Sequence, residues 1–303
     1  MKALITGATG FLGRHLCPFL EEQGWELTKL NSKNCDLTNQ ANLLQWSSKK
    51  FDYIFHLAAW TKAGDFCLYH QGEQWLINQQ INTNVLWFWK HFQENAQLVA
   101  MGTSCAYPDG VQTLEESEYM NGQPSKDLYT YALTKRMLLQ GMEALNMQYG
   151  MRYKYLIPST LYGPLFEASD NHFIFDLIKK IYRGKFHNEK VILWGDGHQI
   201  RELIYSDDAV NLIYSSLALN NSGIWNLTNG AGISIREYAE VISKIFEFDF
   251  TQIEYDTDAL YVGVKKRSLS TKKLLLSLPN FEFTSLSDGC QKTIAYFVDL
   301  NSR

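Results

Sequence analysis

Ala3-Leu4-Ile5-Thr6-Gly7-Ala8-Thr9-Gly10-Phe11-Leu12-Gly13-Arg14-His15-Leu16 stands at the head of the chain. Its three apolar residues read as a short strand, and a helix follows from Arg14 to about Gly24. Between them lie three glycines spaced G-x-x-G-x-x-G. Glycines there permit a tight turn and close backbone approach to a ligand, and the free amides of the helix start face an anion. A strand, a glycine turn and a helix in that order form the pattern of a dinucleotide-binding βα unit. Gly7, Thr9, Gly10, Phe11, Leu12, Gly13 and Arg14 are its candidate cofactor residues.

The second strand, Glu26 to Leu30, ends at Asn31-Ser32-Lys33. An NAD site places an acid about 20 residues past the glycines, on the adenosine ribose hydroxyl. Here Asn31 takes that place, and Ser32, Lys33 and Arg14 are suited to a 2′-phosphate, which favours NADP(H) over NAD(H). Asp36-Leu37 leads into a helix over about residues 39–48, with Asp36 at the adenine edge. Phe51 to Ala59 reads as a buried strand, and Leu57, Ala58 and Ala59 leave room for a cofactor at its end. His56 reads as a core or turn residue. A loop over 60–72 and a long helix from Gln74 to Gln93, carrying Asn78, come next. The tryptophans at 75, 87 and 89 read as packing.

Gln97 to Met101 is the next strand, and it delivers Gly102-Thr103-Ser104-Cys105-Ala106-Tyr107. A turn-rich stretch (108–126) precedes a helix from Asp127 to Tyr149 that contains Tyr131-x-x-x-Lys135. Residues four apart share a helix face. An ammonium beside a phenol favours the phenolate, so Lys135 is expected to lower the Tyr131 pKa and make it a usable acid or base near neutral pH. A hydroxyl from Thr103-Ser104 would complete a proton path. Alternating strands and helices imply a doubly wound parallel sheet of the Rossmann type, with ligands at the carboxyl ends of its strands. Pro158 ends the strand after the Tyr131 helix and belongs to that group.

The texture changes after Pro164. A loop (165–171) leads to His172 and a helix to Gly184, then come a strand at 191–194, the turn Gly195-Asp196-Gly197, and Arg201 to Asp208 with Ser206 or Asp207 as a helix cap. A strand at 224–227, a helix capped by Ser234, a basic cluster Lys265-Lys266-Arg267 and a last helix over about 286–298 complete the chain. We expect a Rossmann domain over 1–163, with elements returned from 200–230, and a smaller substrate-binding lobe over 164–303. The 303 residues are 46% hydrophobic and 14% aromatic, enough for a proper core, and the net charge of −4 argues against nucleic acid as the main partner. The five cysteines are scattered, with no C-x-x-C pair, so neither a metal ribbon nor a disulfide framework is expected. With no signal-peptide pattern and no membrane-length apolar run, the chain reads as cytoplasmic.

These motifs together resemble the extended short-chain dehydrogenases/reductases of the nucleotide-sugar epimerase, dehydratase and reductase group, over Met1 to about Phe297. The resemblance implies that Tyr131 is the acid/base, that Lys135 holds the nicotinamide ribose, and that Thr103, four residues before Tyr107, is the catalytic hydroxyl. Within the group the chain is most similar to the GDP-L-fucose synthase family of 3,5-epimerase/4-reductases. That likeness implies an acid/base pair in Cys105 and His172, a diphosphate contact at Arg201, and substrate contacts at Ser104, Thr160 and Trp194. Thr160 stands where the family usually has Asn. Ser104-Cys105 replaces the Asp-Glu of the 4,6-dehydratases, which disfavours dehydration. The expected activity is NADP(H)-dependent reduction of a nucleotide-linked, GDP-linked by the same likeness, 4-keto-6-deoxysugar at C4, coupled or not to C3/C5 epimerisation, in a homodimer. An NAD-dependent 4-epimerase and a non-catalytic dinucleotide sensor are the alternative readings.

Overall fold

Six parallel strands form the spine of the molecule. The structure is a computed structural model that describes residues 1–62, 66–167, 169–258, 266 and 268–302. Its elements in chain order begin with β1 (Lys2–Thr6), α1 (Phe11–Glu22), β2 (Glu26–Leu30), β3 (Tyr53–His56), α2 (Phe66–Tyr69), α3 (Gln71–Phe92), β4 (Gln97–Met101), α4 (Tyr129–Tyr149) and β5 (Tyr153–Pro158). They continue with β6 (Thr160–Tyr162), α5 (Phe173–His187), β7 (Val191–Trp194), β8 (Ile200–Tyr205), α6 (Ser206–Ser216) and β9 (Gly223–Leu227). The last are β10 (Gly232–Ser234), α7 (Ile235–Phe246), β11 (Ile253–Asp256), α8 (Lys272–Ser277) and α9 (Leu286–Asn301).

The main sheet runs β2-β1-β3-β4-β5-β9, all parallel. Ala3, Leu4 and Ile5 and the whole of β4 are buried. Helices cover both faces of such a sheet, which is why these strands read as continuous apolar runs with no alternation. One face packs Ile81, Val85, Phe88 and Trp89 of α3 with Leu138, Leu139 and Met142 of α4. The other packs Leu12, Leu16 and Leu20 of α1 with Leu212 and Ile213 of α6. Each such side chain contributes about 1.5–3 kcal/mol on burial. The chain leaves β1 to place β2 on one side and β3 on the other. That reversal opens a crevice at their carboxyl ends, where open α/β sheets bind ligands.

A third cluster lies apart from these two. It joins Ile174, Leu177, Ile178 and Ile181 of α5 with Tyr238, Ala239 and Ile242 of α7 and Ile294 and Phe297 of α9. Two small sheets belong with it, β10-β8-β6 and β11-β7. Ser234 starts α7 with a full capping box, its side chain and Glu237 exchanging bonds with each other's backbone.

Several boundaries differ from the sequence expectation. Residues 39–48 form a tighter 3₁₀ segment, Gln40–Trp46, started by the Asn39 side chain. The loop expected over 60–72 contains α2, and α3 begins at Gln71. β6 and β8 were not foreseen. Among the described residues β6 pairs with β8, and β8 also pairs with β10 and bridges Lys266 through Ile200, so both are set by distant partners and not by a local period. Helix α6 begins at Ser206, and Tyr205 is the capping position, with Asp207 and Asp208 in the first turn where the helix dipole favours them. Of the basic cluster, Lys265 and Arg267 lie outside the described residues.

Candidate active site

The glycine turn is built by close backbone approach. A Cβ on Gly13 would lie 2.4 Å from the Gly7 carbonyl oxygen, and one on Gly7 would lie 2.8 Å from the Ala58 nitrogen. Gly7 also has φ +66°, a region L side chains rarely adopt. Gly10 caps α1 without a side chain, so the first-turn amides stay open towards the crevice. Thr9 and Gly10 are exposed, Phe11 is half-buried and Leu12 is buried. This is a cradle that only glycine leaves empty, and it fits a pyrophosphate.

At the end of β2, Asn31 turns inward. Its Oδ1 accepts the Lys33 and Asn34 amides at 2.9 and 3.2 Å, and its own N–H donates to Asn34 Oδ1 at 2.8 Å. The Ser32 and Lys33 side chains are left exposed. None of Asn31, Ser32 and Lys33 is a carboxylate, and Lys33 offers a cation suited to a 2′-phosphate. Arg14 makes a 3.0 Å ion pair with Glu167, while its buried Nε has no partner. Asp36 is committed locally, with Oδ1 accepting from Thr38 N and Oγ1. Leu37 is buried in the core and its carbonyl accepts from Asn84.

A polar brace crosses the crevice floor. Ala58 N–H donates to Thr6 Oγ1, which leaves that hydroxyl to donate to His56 Nδ1 at 2.8 Å. His56 Nε2 then donates to Asn82 Oδ1 at 3.1 Å, and Asn82 Nδ2 donates to the Thr134 carbonyl. His56 is a core residue, as expected, and burial drives its pKa down to about 4, so it stays neutral. Asn78 is likewise occupied: its amide brackets Trp60 by accepting from the Trp60 N–H and donating to the Trp60 carbonyl. Leu57 N–H donates to the Thr6 carbonyl, and Ala59 and Pro158 are half-buried at their strand ends.

Tyr131 and Lys135 sit in the first two turns of α4, against the end of β4. Lys135 Nζ donates to the Met101 carbonyl at 2.8 Å and lies 6.0 Å from the centre of the Tyr131 ring. Lys135 is buried without a carboxylate partner, and burial brings its pKa down to about 8. Tyr131 shows the reverse of the expected effect. Its pKa is raised, first by burial and then by the nearby Cys105, Tyr119 and Cys67 groups. The physical reason is desolvation of the buried phenol, while the Lys135 ammonium is hydrogen-bonded to the Met101 carbonyl and not to the tyrosine. Thr103 Oγ1 accepts the Cys105 amide at 3.3 Å and starts the short 3₁₀ turn Ser104–Ala106. Thr103, Ser104 and Cys105 are all half-buried at the crevice, and none of the described cysteines is disulfide-bonded.

Beneath this group lies a layer that sequence reading missed. Thr103 N–H donates to Tyr119 Oη at 3.4 Å, Tyr119 shares a 3.0 Å bond with Tyr155, and Tyr155 donates to the Lys135 carbonyl at 2.8 Å. The last bond fixes the order, so Tyr119 is the donor to Tyr155. Arg136 adds three bonds, to the carbonyls of Ala106, Asn121 and Gly122. Tyr119 lies in an irregular loop and Tyr155 on a strand buried on both faces, so neither shows a pattern that marks it.

The remaining candidates come from the second group of elements. His172 precedes α5 with an exposed ring, its Nδ1 2.6 Å from Asp170 Oδ1. Among the described residues no hydrogen bond, ion pair or ring contact joins it to Tyr131 or Cys105. Its loop is fastened to α1 instead, through Glu167–Arg14 and a 2.9 Å bond between His15 Nε2 and the Pro164 carbonyl. Trp194 is exposed, with Lys180 Nζ 5.2 Å over its ring. Thr160 is half-buried in β6, opposite Leu203. Arg201 is half-buried on β8, one Nη donating to the Ile200 carbonyl. Among the described residues no cluster of three or more His, Cys, Asp or Glu side chains is placed to hold a metal ion.

Comparison with known proteins gives a consistent picture. The model of the NAD dependent epimerase/dehydratase family matches residues 3–227. The chain is 28% identical over 310 residues to the GDP-L-fucose synthase of Dictyostelium discoideum, covering 98% of this chain and 95% of that one. It is 29% identical over 308 residues to the GDP-L-colitose synthase of Yersinia pseudotuberculosis, covering 99% and 98%. A GDP-L-fucose synthetase from Naegleria fowleri, solved bound to NADP, superposes with a TM-score of 0.88 at 24% identity, covering 99% of this chain and 93% of that one.

Proposed function

We propose, from a chain that belongs to the NAD dependent epimerase/dehydratase family, that it reduces a GDP-linked 4-keto-6-deoxysugar at C4 with NADPH and epimerises the same sugar at C3 and C5. The GDP-L-fucose and GDP-L-colitose synthases it resembles along nearly their whole length support this reading. The observation that carries it is the grouping of Tyr131, Lys135, Thr103 and the Cys105 thiol at the end of β4.

Bound NADPH would supply the hydride. The glycine turn and Lys33 would hold its phosphates, and Lys135 would leave the Met101 carbonyl for the ribose hydroxyls. Burial keeps Tyr131 protonated, which suits a donor: its O–H would pass the proton to the sugar O4 as the carbonyl becomes an alkoxide. Thr103 would hold the same oxygen by a second hydrogen bond. A C4 ketone acidifies the neighbouring carbons, and Cys105 and His172 would remove and return protons there. Arg201 would pair with the nucleotide diphosphate, and Trp194, Ser104 and Thr160 would contact the rest of the ligand.

We place the division between cofactor domain and substrate lobe at residue 163, with β9 returned to the main sheet, because the third apolar cluster draws its residues from Tyr162 onward apart from Phe11 packed at its edge. A homodimer through α3 and α4 is proposed from their exposed Trp75, Leu76 and Met137. No helix among the described residues is long and apolar enough to cross a membrane, and five cysteines without a disulfide favour the cytoplasm. The test is NADPH consumption with GDP-linked 4-keto-6-deoxymannose. Tyr131→Phe should cut turnover about 10²–10⁴-fold and leave NADPH affinity intact. Turnover that survives the change, or C4 inversion without net NADPH use, sinks the proposal; the second result would favour the 4-epimerase.

A further inference from the structure

Asp170 and His172 form a close pair with one shielded and one open partner. Asp170 Oδ1 lies 2.6 Å from His172 Nδ1 and also accepts the His172 backbone N–H at 3.0 Å. The Asp170 side chain is 19% exposed and the His172 side chain 49%. A contact this short is charge-assisted. It is not ordinary helix capping, because α5 has no side-chain cap bond and the carboxylate spends its contacts on one residue's ring and amide. Asp170 is itself held in place: its N–H donates to the Glu167 carbonyl, and Lys179 Nζ donates to its carbonyl. Glu167 is in turn anchored by Arg14 on α1. The His172 ring stands edge-on to Phe175 at 6.4 Å.

The carboxyl stays ionised through the neutral range. Burial pushes its pKa up, but the hydrogen bonds and charge of His172, together with the charge of Lys179, outweigh that and hold it below the usual carboxylate value. The charges that bear on Asp170 are those of His172 and Lys179, and Lys179 in turn faces Asp176 and Arg183.

We infer that Asp170 is a positioning residue that fixes His172 as the tautomer protonated on Nδ1, leaving Nε2 as the ring nitrogen that exchanges protons with the sugar. The inference deepens the acid/base role given to His172 above and rests on it. Asp170 takes no proton. When Nε2 protonates a sugar carbon, the enolate electron pair forms the new C–H bond, the N–H electrons stay on the ring, and a neutral imidazole remains with its Nδ1–H on Asp170. In reverse, Nε2 accepts the proton, the C–H pair becomes the double bond to C4, and the C4=O π pair moves to the C4 oxygen as the enolate. A carboxylate on the far nitrogen keeps the ring from presenting the wrong one.

The test uses the full chain labelled with ¹⁵N-histidine, with His172→Gln identifying its resonances. The wild type should show the Nδ1–H tautomer, and Asp170→Asn should shift the ring to a mixture. Deuterium wash-in at C3 and C5 of GDP-linked 4-keto-6-deoxymannose in heavy water should fall about 10–100-fold, with KM unchanged. Unchanged NADPH affinity would report a folded variant; should Asp170→Asn misfold, Asp170→Ser carries the same measurements. An unaltered tautomer in the variant, or unaltered wash-in, overturns the inference. If the wild type gives no wash-in, the epimerase part of the proposed function falls, while the nitrogen signals still decide whether Asp170 sets the tautomer.

Discussion

Replacing Lys135 with Met in the cofactor-free protein should alter how stability depends on pH. Lys135 carries its charge in a buried site without a counter-ion, and its pKa drops from 10.5 to about 8. At roughly 1.4 kcal/mol per pKa unit, the charged folded form costs about 3 kcal/mol. Below pH 8 both folded and unfolded states hold the proton, so the whole cost is felt. Between about 8 and 10.5 the unfolded state binds more protons than the folded one, and stability therefore rises with pH. Above 10.5 the cost is gone. The stability of the wild type minus that of Lys135→Met should thus climb by about 3 kcal/mol from neutral pH to about 10.5. The difference matters because Lys154 is also buried and also falls to about 8, and its contribution cancels. Urea unfolding followed by tryptophan fluorescence, at several pH values for both proteins, supplies the curve. Two parallel curves, separated by a constant amount, would refute the claim that Lys135 is a strained cation awaiting a ligand.

Gly13→Ala should weaken NADPH binding by about 5- to 150-fold, since relieving a Cβ 2.4 Å from the Gly7 carbonyl costs about 1–3 kcal/mol; calorimetric titration would measure it, and wild-type affinity would mean that the turn is looser than it stands. Tyr119→Phe keeps the ring packing but leaves the Thr103 N–H without its partner, at a cost of about 1–3 kcal/mol; chemical denaturation should show that loss, and turnover should fall with KM for NADPH unchanged. If the proposed dimer forms through α3 and α4, Leu76→Glu combined with Met137→Glu should convert it to a monomer in light scattering, and a wild-type mass retained by the variant would refute that interface.

The sequence carried the main sheet well because its strands are decided locally, most clearly by short apolar runs between turn residues as in Ala3 to Ile5 and Gln97 to Met101. The glycine turn was legible for the same reason: close approach demands glycine, and only a few residues separate strand from helix. What escaped was set by contacts between distant segments. β6 and β8 exist by pairing with each other, and Tyr155 works through Tyr119, 36 residues away. The Tyr131–Lys135 pair was visible from its spacing, but its electrostatics were not. Spacing puts two side chains on one face; it says nothing of the carbonyl at Met101 that draws the ammonium aside or of the burial that governs the phenol.

The position of β9 has a consequence during synthesis. Gly223 follows Pro158 by 65 residues, yet β9 is the strand that covers the outer edge of β5. On a ribosome adding about 5–20 residues per second, that edge waits roughly 3–13 s for its neighbour. Throughout that interval a nascent chain displays Tyr153 to Pro158 as an unpaired edge, interrupted in polarity only by Lys154, that can serve as a template for another chain's strand. Cells making this protein in quantity should therefore need chaperone protection at that stage. Arrest of translation between β5 and β9 should yield an aggregation-prone intermediate, whereas release after β9 has emerged should not.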